Sequence, residues 1–359
     1  MATLYVTEPG TQVRKVGERL VLVKGQDVLD EIPLIQVEQV VMVGRGVSLT
    51  TAAMFTLTQK GVDIVYLSGA GRYVSRVTGS EHKHSRLRYA QALAVADKKT
   101  AQNLAGAVVF GKISNQRVLV RRHTERAAWA AGSLTGMDVM LKRIAQARDL
   151  DELRGLEGQA AKEYFALMRR LLARPRDSGD PRGWGFERRM YYPPTDPINA
   201  MLSFGYTLLL NDMVAACQMI GLDPFLGCFH AIDYGRPSMA LDLIEEFRPV
   251  IVDSIVLGAV NHGMIGLRDF RDTVDEEGDV DTPTQDKHKA GPGGQKAIYL
   301  NAEGRRRFLK WYEERVTEQA QVINTGERTS YRRLFLLQAQ QMARVLLGQS
   351  TAYQPFLIR

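Results

Sequence analysis

The texture of the chain changes once, near residue 80, and that change limits the fold more than any other feature. Before it, from Thr3 to about Arg76, apolar residues recur at period two in the short segments TLYVT, QVRKV, RLVLVKG, VLDEIP and QVEQVVMV. Gly, Pro and Asp separate them, the pattern of strands with one buried face. One helical interlude, LTTAAMFTLTQKG, stops at Gly61, and VDIVYLS and RYVSRVTG follow. After it, the stretches RLRYAQALAVADKK, TAQNLAGAVVFGKISNQRVLVRR, RAAWAAGSLTGMDVMLKRIAQA and DELRGLEGQAAKEYFALMRRLLA place apolar residues at three- and four-residue intervals. The expected class is α+β: a small N-terminal β-sandwich over residues 1–80, a polar linker at 81–86, and a larger all-helical domain over 87–359. Two stretches without periodicity, 173–197 and 271–295, read as mobile loops.

A chain of 359 residues with 45% hydrophobic content buries a sizeable core, and two domains are expected. No run approaches the roughly 18 to 20 uncharged apolar residues of a membrane span, and no signal-peptide pattern opens the chain. The expected location is the cytoplasm. Cys217 and Cys228 lack metal or redox spacing and read as buried free thiols. The formal charge of +7 suggests a polyanion partner. Residues 1–85 carry 9 Lys/Arg against 8 Asp/Glu, and residues 301–359 carry 10 against 5, so the basic excess belongs to the later part of the chain.

Glu157 falls in the same helical stripe as Leu153, Leu156, Ala160, Ala161 and Tyr164. A carboxylate there costs free energy unless it is paired, protonated or bound to a metal; the alternative is an ordinary solvated glutamate. The stretch from Asp223 to Pro249 is the densest in chemistry. His230 sits in a Gly- and Asp-rich connection, and a helix restarts at Pro237 or Ser238. On it Asp242 and Glu245 share a face, with Glu246 four residues from Asp242. Two carboxylates and an imidazole suit Mg²⁺ or Mn²⁺; a solvated acid pair with a turn histidine is the bland alternative. His82 and His84 form an HxH in the linker, where solvation is the simpler reading. Basic residues interleave with aromatics at Arg188, Arg189, Tyr191 and Tyr192, and at Arg305–Arg307 with Phe308, Trp311 and Tyr312. Such groups bind phosphates and stack on bases, or else form a solvated amphipathic face. No phosphate-binding loop, GxSxG elbow or HExxH is present. GAGR at 69–72 reads as a hairpin turn.

Taken in order, the β-then-α arrangement, GLEGQAAKEYF at 155–165, DPINAMLSFGYTLL at 196–209, the block from His230 to Pro249, and YRRLFLLQAQQMARVLLG at 331–348 resemble the CRISPR adaptation integrase family. The resemblance covers almost the whole chain. It implies a metal held by Glu157, His230 and Glu245, with Asp242 as a further catalytic acid. It also implies a homodimer, two of which flank a small ferredoxin-like partner dimer in a heterohexamer on double-stranded DNA, with a trimming nuclease as a further candidate partner. The expected activity is that of a metal-dependent DNA endonuclease and integrase. Spacer fragments would enter a CRISPR array by transesterification, with Tyr164, Arg188, Arg189, Arg236 and Arg248 as candidate DNA contacts. A stand-alone branched-DNA nuclease and a non-catalytic DNA-binding scaffold are the alternatives.

Overall fold

The structure is a computed structural model that describes residues 2–69, 73–77, 79, 84–124, 127–173, 175, 183–190, 193–272, 297–321, 326 and 328–358. Its first elements are β1 (Ala2–Val6), β2 (Thr11–Val16), β3 (Arg19–Lys24), β4 (Asp27–Pro33), β5 (Val37–Val43), β6 (Ser48–Leu49), α1 (Thr51–Gln59), β7 (Asp63–Leu67) and β8 (Tyr73–Val77). One sheet runs β1-β5-β7-β8, its first three strands parallel and β8 antiparallel. The other runs β4-β3-β2-β6, antiparallel except where β6 joins β2. Val6, Val40, Met42 and Ile64 of the first sheet share a core with Val13, Leu20 and Leu22 of the second and with Ala53 and Leu57 of α1.

The period-two pattern predicts one buried face, and the first sheet departs from it. Val41, Val43, Val65 and Leu67 point away from that core and join the hydrophobic cluster of the helices. The sheet is therefore covered on both faces, as parallel sheets are, and β5 reads as a nearly continuous buried run. The GAGR segment lies between the antiparallel strands β7 and β8, with residues 70–72 outside the described set.

The helices follow as α2 (Ser85–Ala96), α3 (Lys98–Thr124), α4 (Ala131–Ile144), α5 (Leu150–Leu171), α6 (Pro197–Ile220), α7 (Ser238–Ile244), α8 (Ser254–Asn261), α9 (Ala302–Thr317) and α10 (Tyr331–Leu346). The expected linker is shorter than 81–86, because α2 already begins at Ser85; Glu81, His82 and Lys83 lie outside the described residues. Asp149 caps α5 by accepting from Glu152 N, and Asp196 caps α6 by accepting from Asn199 N, with Pro197 in the first turn. By length and composition α6 is long and apolar enough to cross a membrane, although Asp212 interrupts it and it is not an uncharged run. Most of it is buried among the other helices, including Met201, Leu202, Leu208 and Leu209, which is what a central core helix requires.

Between α7 and α8 the chain makes a π-helical turn, Pro249–Asp253. Pro249 has no N–H to give to the preceding turn, and the Val250 carbonyl accepts from Arg315 Nε and Nη2 at 3.0 and 2.8 Å and from the Ser254 hydroxyl. The C-terminal part is not all helical: Phe270–Asp272 pairs with Ile298–Leu300, and Gln319–Gln321 with Arg328–Ser330. The expected loop at 173–197 carries no helix or strand among its described residues before Pro197. Nearly all of 271–295 lies outside the described residues.

Candidate metal centre

The loop that carries His230 is tied down from three helices. Gln91 of α2, fully buried, donates to the carbonyls of Asp223 and Leu226 and accepts from Asp223 N. Arg154 of α5 donates to Phe229 O at 3.0 Å. Gly227 lies so close to α7 that a Cβ there would meet the Ser238 carbonyl carbon at 2.5 Å. This close approach brings the loop within reach of Asp242.

Asp242 is buried, and both of its oxygens are spoken for. Oδ2 accepts from Cys228 N and Phe229 N at 2.6 and 2.9 Å; Oδ1 accepts from His230 N at 2.9 Å and from His230 Nδ1–H at 2.7 Å. The last bond fixes the orientation of the ring and leaves Nε2 facing Glu245, 3.5 Å from Oε1.

Glu245 follows the last residue of α7 and is only 2% exposed. Burial opposes its charge, yet Arg248, Lys112 and His230 outweigh that and hold the carboxyl down at about 2. Arg248 Nη1 lies 3.4 Å from Oε1, and Lys112 Nζ lies 2.7 Å from Oε2. The same Lys112 Nζ, from α3, meets Glu157 Oε1 of α5 at 2.5 Å. Burial works against the lysine's charge, but Glu245 and Glu157 prevail and its pKa is raised.

Glu157, His230, Asp242 and Glu245, drawn from three regions of the sequence, are thus brought together. Among the described residues no three His, Cys, Asp or Glu side chains already surround one point as a finished ligand set. Lys112 explains why: a cationic nitrogen sits between the two glutamates. The donors still fit a hard divalent ion, because two carboxylates already converge on one positive charge and an imidazole Nε2 faces the same carboxylate. Lys112 escaped the sequence reading. Its signal was a charge in the apolar stripe of α3, between Val109 and Ile113, to which the reasoning used for Glu157 applies equally.

A second buried network lies beside the first. Asp253 accepts from Tyr164 OH and Tyr206 OH, both at 2.6 Å, and burial pushes its carboxyl up to about 6 against those hydrogen bonds. Tyr164 is fully buried, which corrects its expected place as a DNA contact: its hydroxyl is taken by Asp253 and no ring face is open. Arg248 also departs from the expected phosphate contact. It is turned inward, with its guanidinium over the Tyr206 ring at 4.8 Å and one nitrogen on Glu245. Arg189 lies over the same ring and bonds Asn199 and Ser203, inward rather than toward solvent. Arg188 and Arg236 are exposed. Phe308 and Tyr312 are buried, so α9 is the amphipathic alternative, its rings facing the core; Tyr191 and Tyr192 lie outside the described residues. Cys217 and Cys228 are free and buried, and burial raises both thiols to about 12.

Fold and site define a protein with two four-stranded N-terminal sheets, a helical body and a buried carboxylate–imidazole cluster within that body. The comparisons bear on the family and the fold. The family model described as "CRISPR associated protein Cas1" matches residues 4–314. The CRISPR-associated endonuclease Cas1 3 of Thermus thermophilus is 36% identical over 100% of this chain and 98% of its own length. A CRISPR-associated exonuclease Cas4/endonuclease Cas1 fusion of Geobacter sulfurreducens is 33% identical over 99% of this chain, which spans 60% of the fusion. Among solved structures, a casposase bound to integration product superposes with TM-score 0.80 at 20% identity, over 99% of this chain and 93% of that one. A chain of a Cas6-RT-Cas1–Cas2 complex superposes with TM-score 0.76 at 23% identity, over 99% of this chain and 36% of that one. The chain belongs to the Cas1 family.

Proposed function

We propose that this chain is a metal-dependent DNA endonuclease and integrase that inserts DNA fragments into a CRISPR array, working in the cytoplasm. The observation that carries the reading is that Glu157 and Glu245 converge on one buried cation, Lys112, while His230 Nε2 faces the other oxygen of Glu245 at 3.5 Å. The names of relatives support it: they are called endonucleases, and a similarly folded casposase was captured with an integration product.

In this reading Glu157, His230 and Glu245 hold Mg²⁺ or Mn²⁺, and Asp242 orients His230. The ion would supply charge stabilisation at the phosphoryl oxygen of the bond under attack. The reaction is an exchange: the 3′ hydroxyl of the incoming strand forms a phosphodiester as another breaks, and the leaving 3′ oxygen takes up a proton. Asp242 keeps the imidazole from rotating, Arg248 keeps the Glu245 carboxylate turned toward Lys112, and exposed Arg188 and Arg236 meet the DNA backbone. The double-stranded DNA is handled by a homodimer, and a small ferredoxin-like protein completes a heterohexamer. The likeness to the Cas1–Cas2 complex supports that partner, and the exonuclease fusion supports a trimming nuclease beside it.

The test is strand joining with a short duplex and a leader–repeat target in Mn²⁺. The wild type should give joined product, and His230→Ala should lower joining by at least about 100-fold while keeping its circular dichroism spectrum, since losing a group that merely orients a metal ligand already costs about 10- to 100-fold. Efficient joining by the folded variant would remove His230 from the centre. Hydrolysis of branched DNA without joining would favour a repair nuclease.

A further inference from the structure

Lys112 is 8% exposed, at the middle of α3, and its ammonium bridges two carboxylates from different elements. Buried lysines are uncommon, and this one lies between two of the carboxylates that would hold the proposed metal. A divalent ion needs carboxylate oxygens at about 2.0 to 2.2 Å, and the oxygens that face this position are engaged with Nζ. Ion and ammonium therefore compete for the same oxygens and repel each other at short range.

The local charges make the competition conditional. Counting only the carboxylates and the ammonium and guanidinium beside them, and leaving the imidazole aside, Glu157, Asp242 and Glu245 contribute three negative charges and Lys112 and Arg248 two positive ones, which leaves one negative charge. A divalent ion alone overshoots to one positive. A phosphodiester, with its single negative charge, restores neutrality and offers the displaced ammonium a partner. Building on the metal-centre reading, we propose that Lys112 is an internal counter-cation that holds Glu157 and Glu245 together without metal. It makes tight metal binding depend on the arrival of a DNA phosphate, to which Lys112 transfers.

The coupling is reciprocal, so metal also tightens the grip on DNA at this site, and Lys112 acts as a positioning residue. The role differs from a purely structural one in sign: removing a structural lysine loosens the site, whereas removing a competitor tightens metal binding.

The experiment measures free Mn²⁺ by electron paramagnetic resonance for the full chain, with and without a short duplex whose 3′ ends are dideoxy, correcting for Mn²⁺ held by DNA alone. Wild type, Lys112→Gln, Lys112→Met and His230→Ala are compared. The duplex should tighten Mn²⁺ binding to the wild type by about tenfold, within the usual range of coupling. Without DNA both Lys112 variants should bind Mn²⁺ about tenfold tighter than the wild type, and the duplex should add little. Variants that bind Mn²⁺ no tighter than the wild type would overturn the proposal. If His230→Ala leaves Mn²⁺ binding unchanged, the ion is elsewhere and the metal-centre reading fails; if it weakens binding while the Lys112 variants do not tighten it, only the counter-cation role fails. Should the Lys112 variants lose structure without metal, Mn²⁺ must restore their melting temperature. Absence of rescue counts against the role.

Discussion

Asp242 and Glu245 are three residues apart, yet the structure gives them different work. Asp242 spends both oxygens on three backbone N–H groups and the imidazole, whereas Glu245 keeps its oxygens for Lys112, Arg248 and the space before His230 Nε2. Glu245→Gln should therefore weaken Mn²⁺ affinity by about 100-fold or more. Asp242→Asn should weaken it by about 10-fold and lower stability by ~1 to 3 kcal/mol, because an amide nitrogen cannot accept from the loop. Titration calorimetry and urea unfolding on both variants decide the matter, and the reverse order of metal losses would make Asp242 the ligand. Glu157 was legible in the sequence because an acid in an apolar stripe demands a partner. Lys112 obeys the same rule, but a lysine stem covers apolar surface by itself and so raises less alarm. Tyr164 misled for the opposite reason: a tyrosine in the stripe is mostly ring, and the acid that takes its hydroxyl lies 89 residues away.

At the scale of elements, the helices and most strands were written in periodicity, whereas the segment at Tyr353–Ile358 has none. It is held by single side chains. Asn115 of α3 donates to Phe356 O and accepts from Ile358 N; Glu246 accepts from Phe356 N, Tyr353 OH and Gln338. A Cβ on Gly111 would meet Pro355 Cβ at 2.6 Å, so α3 can pass this segment only because that position is glycine. Burial pushes the Glu246 carboxyl up to about 8 against its hydrogen bonds. In the unfolded chain it titrates near its ordinary 4.5. Between these values the folded state keeps a proton that the unfolded state has lost, so its contribution to stability falls as pH rises, by up to about 1.4 kcal/mol per unit. Glu246→Gln, uncharged throughout, loses one acceptor at every pH but should stand more favourably against the wild type at pH 8.5 than at pH 5. Urea midpoints at the two pH values test this, and an equal offset at both would show that the carboxyl does not titrate in this range.

The whole molecule differs most from what the sequence pattern promised at the boundary near residue 80. The break in texture is real, but hydrophobic packing crosses it: Val41, Val43, Val65 and Leu67 pack with Leu87, Leu104 and Leu119 in one cluster. Tyr5 of β1 donates to Glu313 of α9 across the same boundary, and Arg332 bridges Glu313 and Asp212 there. Periodicity could not reveal this, because a run such as VEQVVMV does not say what covers its second face. Residues 1–80 produced alone should expose that apolar face and self-associate, measured by sedimentation, rather than persist as a monomeric sandwich; a stable monomer would show that the helices are not needed to cover it. Replacing Val41 and Val65 by threonine in the isolated piece should reduce the association.

The doubly covered sheet also governs motion. A hinge between the strand part and the helical part would have to bare those four side chains, at about 25 cal/mol for each Å² exposed, so the two parts move as one body. In the proposed function, bending to accommodate a strand of DNA falls, among the described residues, to the exposed loop from Ala231 to Arg236, which adjoins His230 and lies outside the core. In that reading substrates of different shape meet, among the described residues, that short segment, while the backbones of α3 and α5 that carry Lys112 and Glu157 stay fixed by the rigid frame behind them.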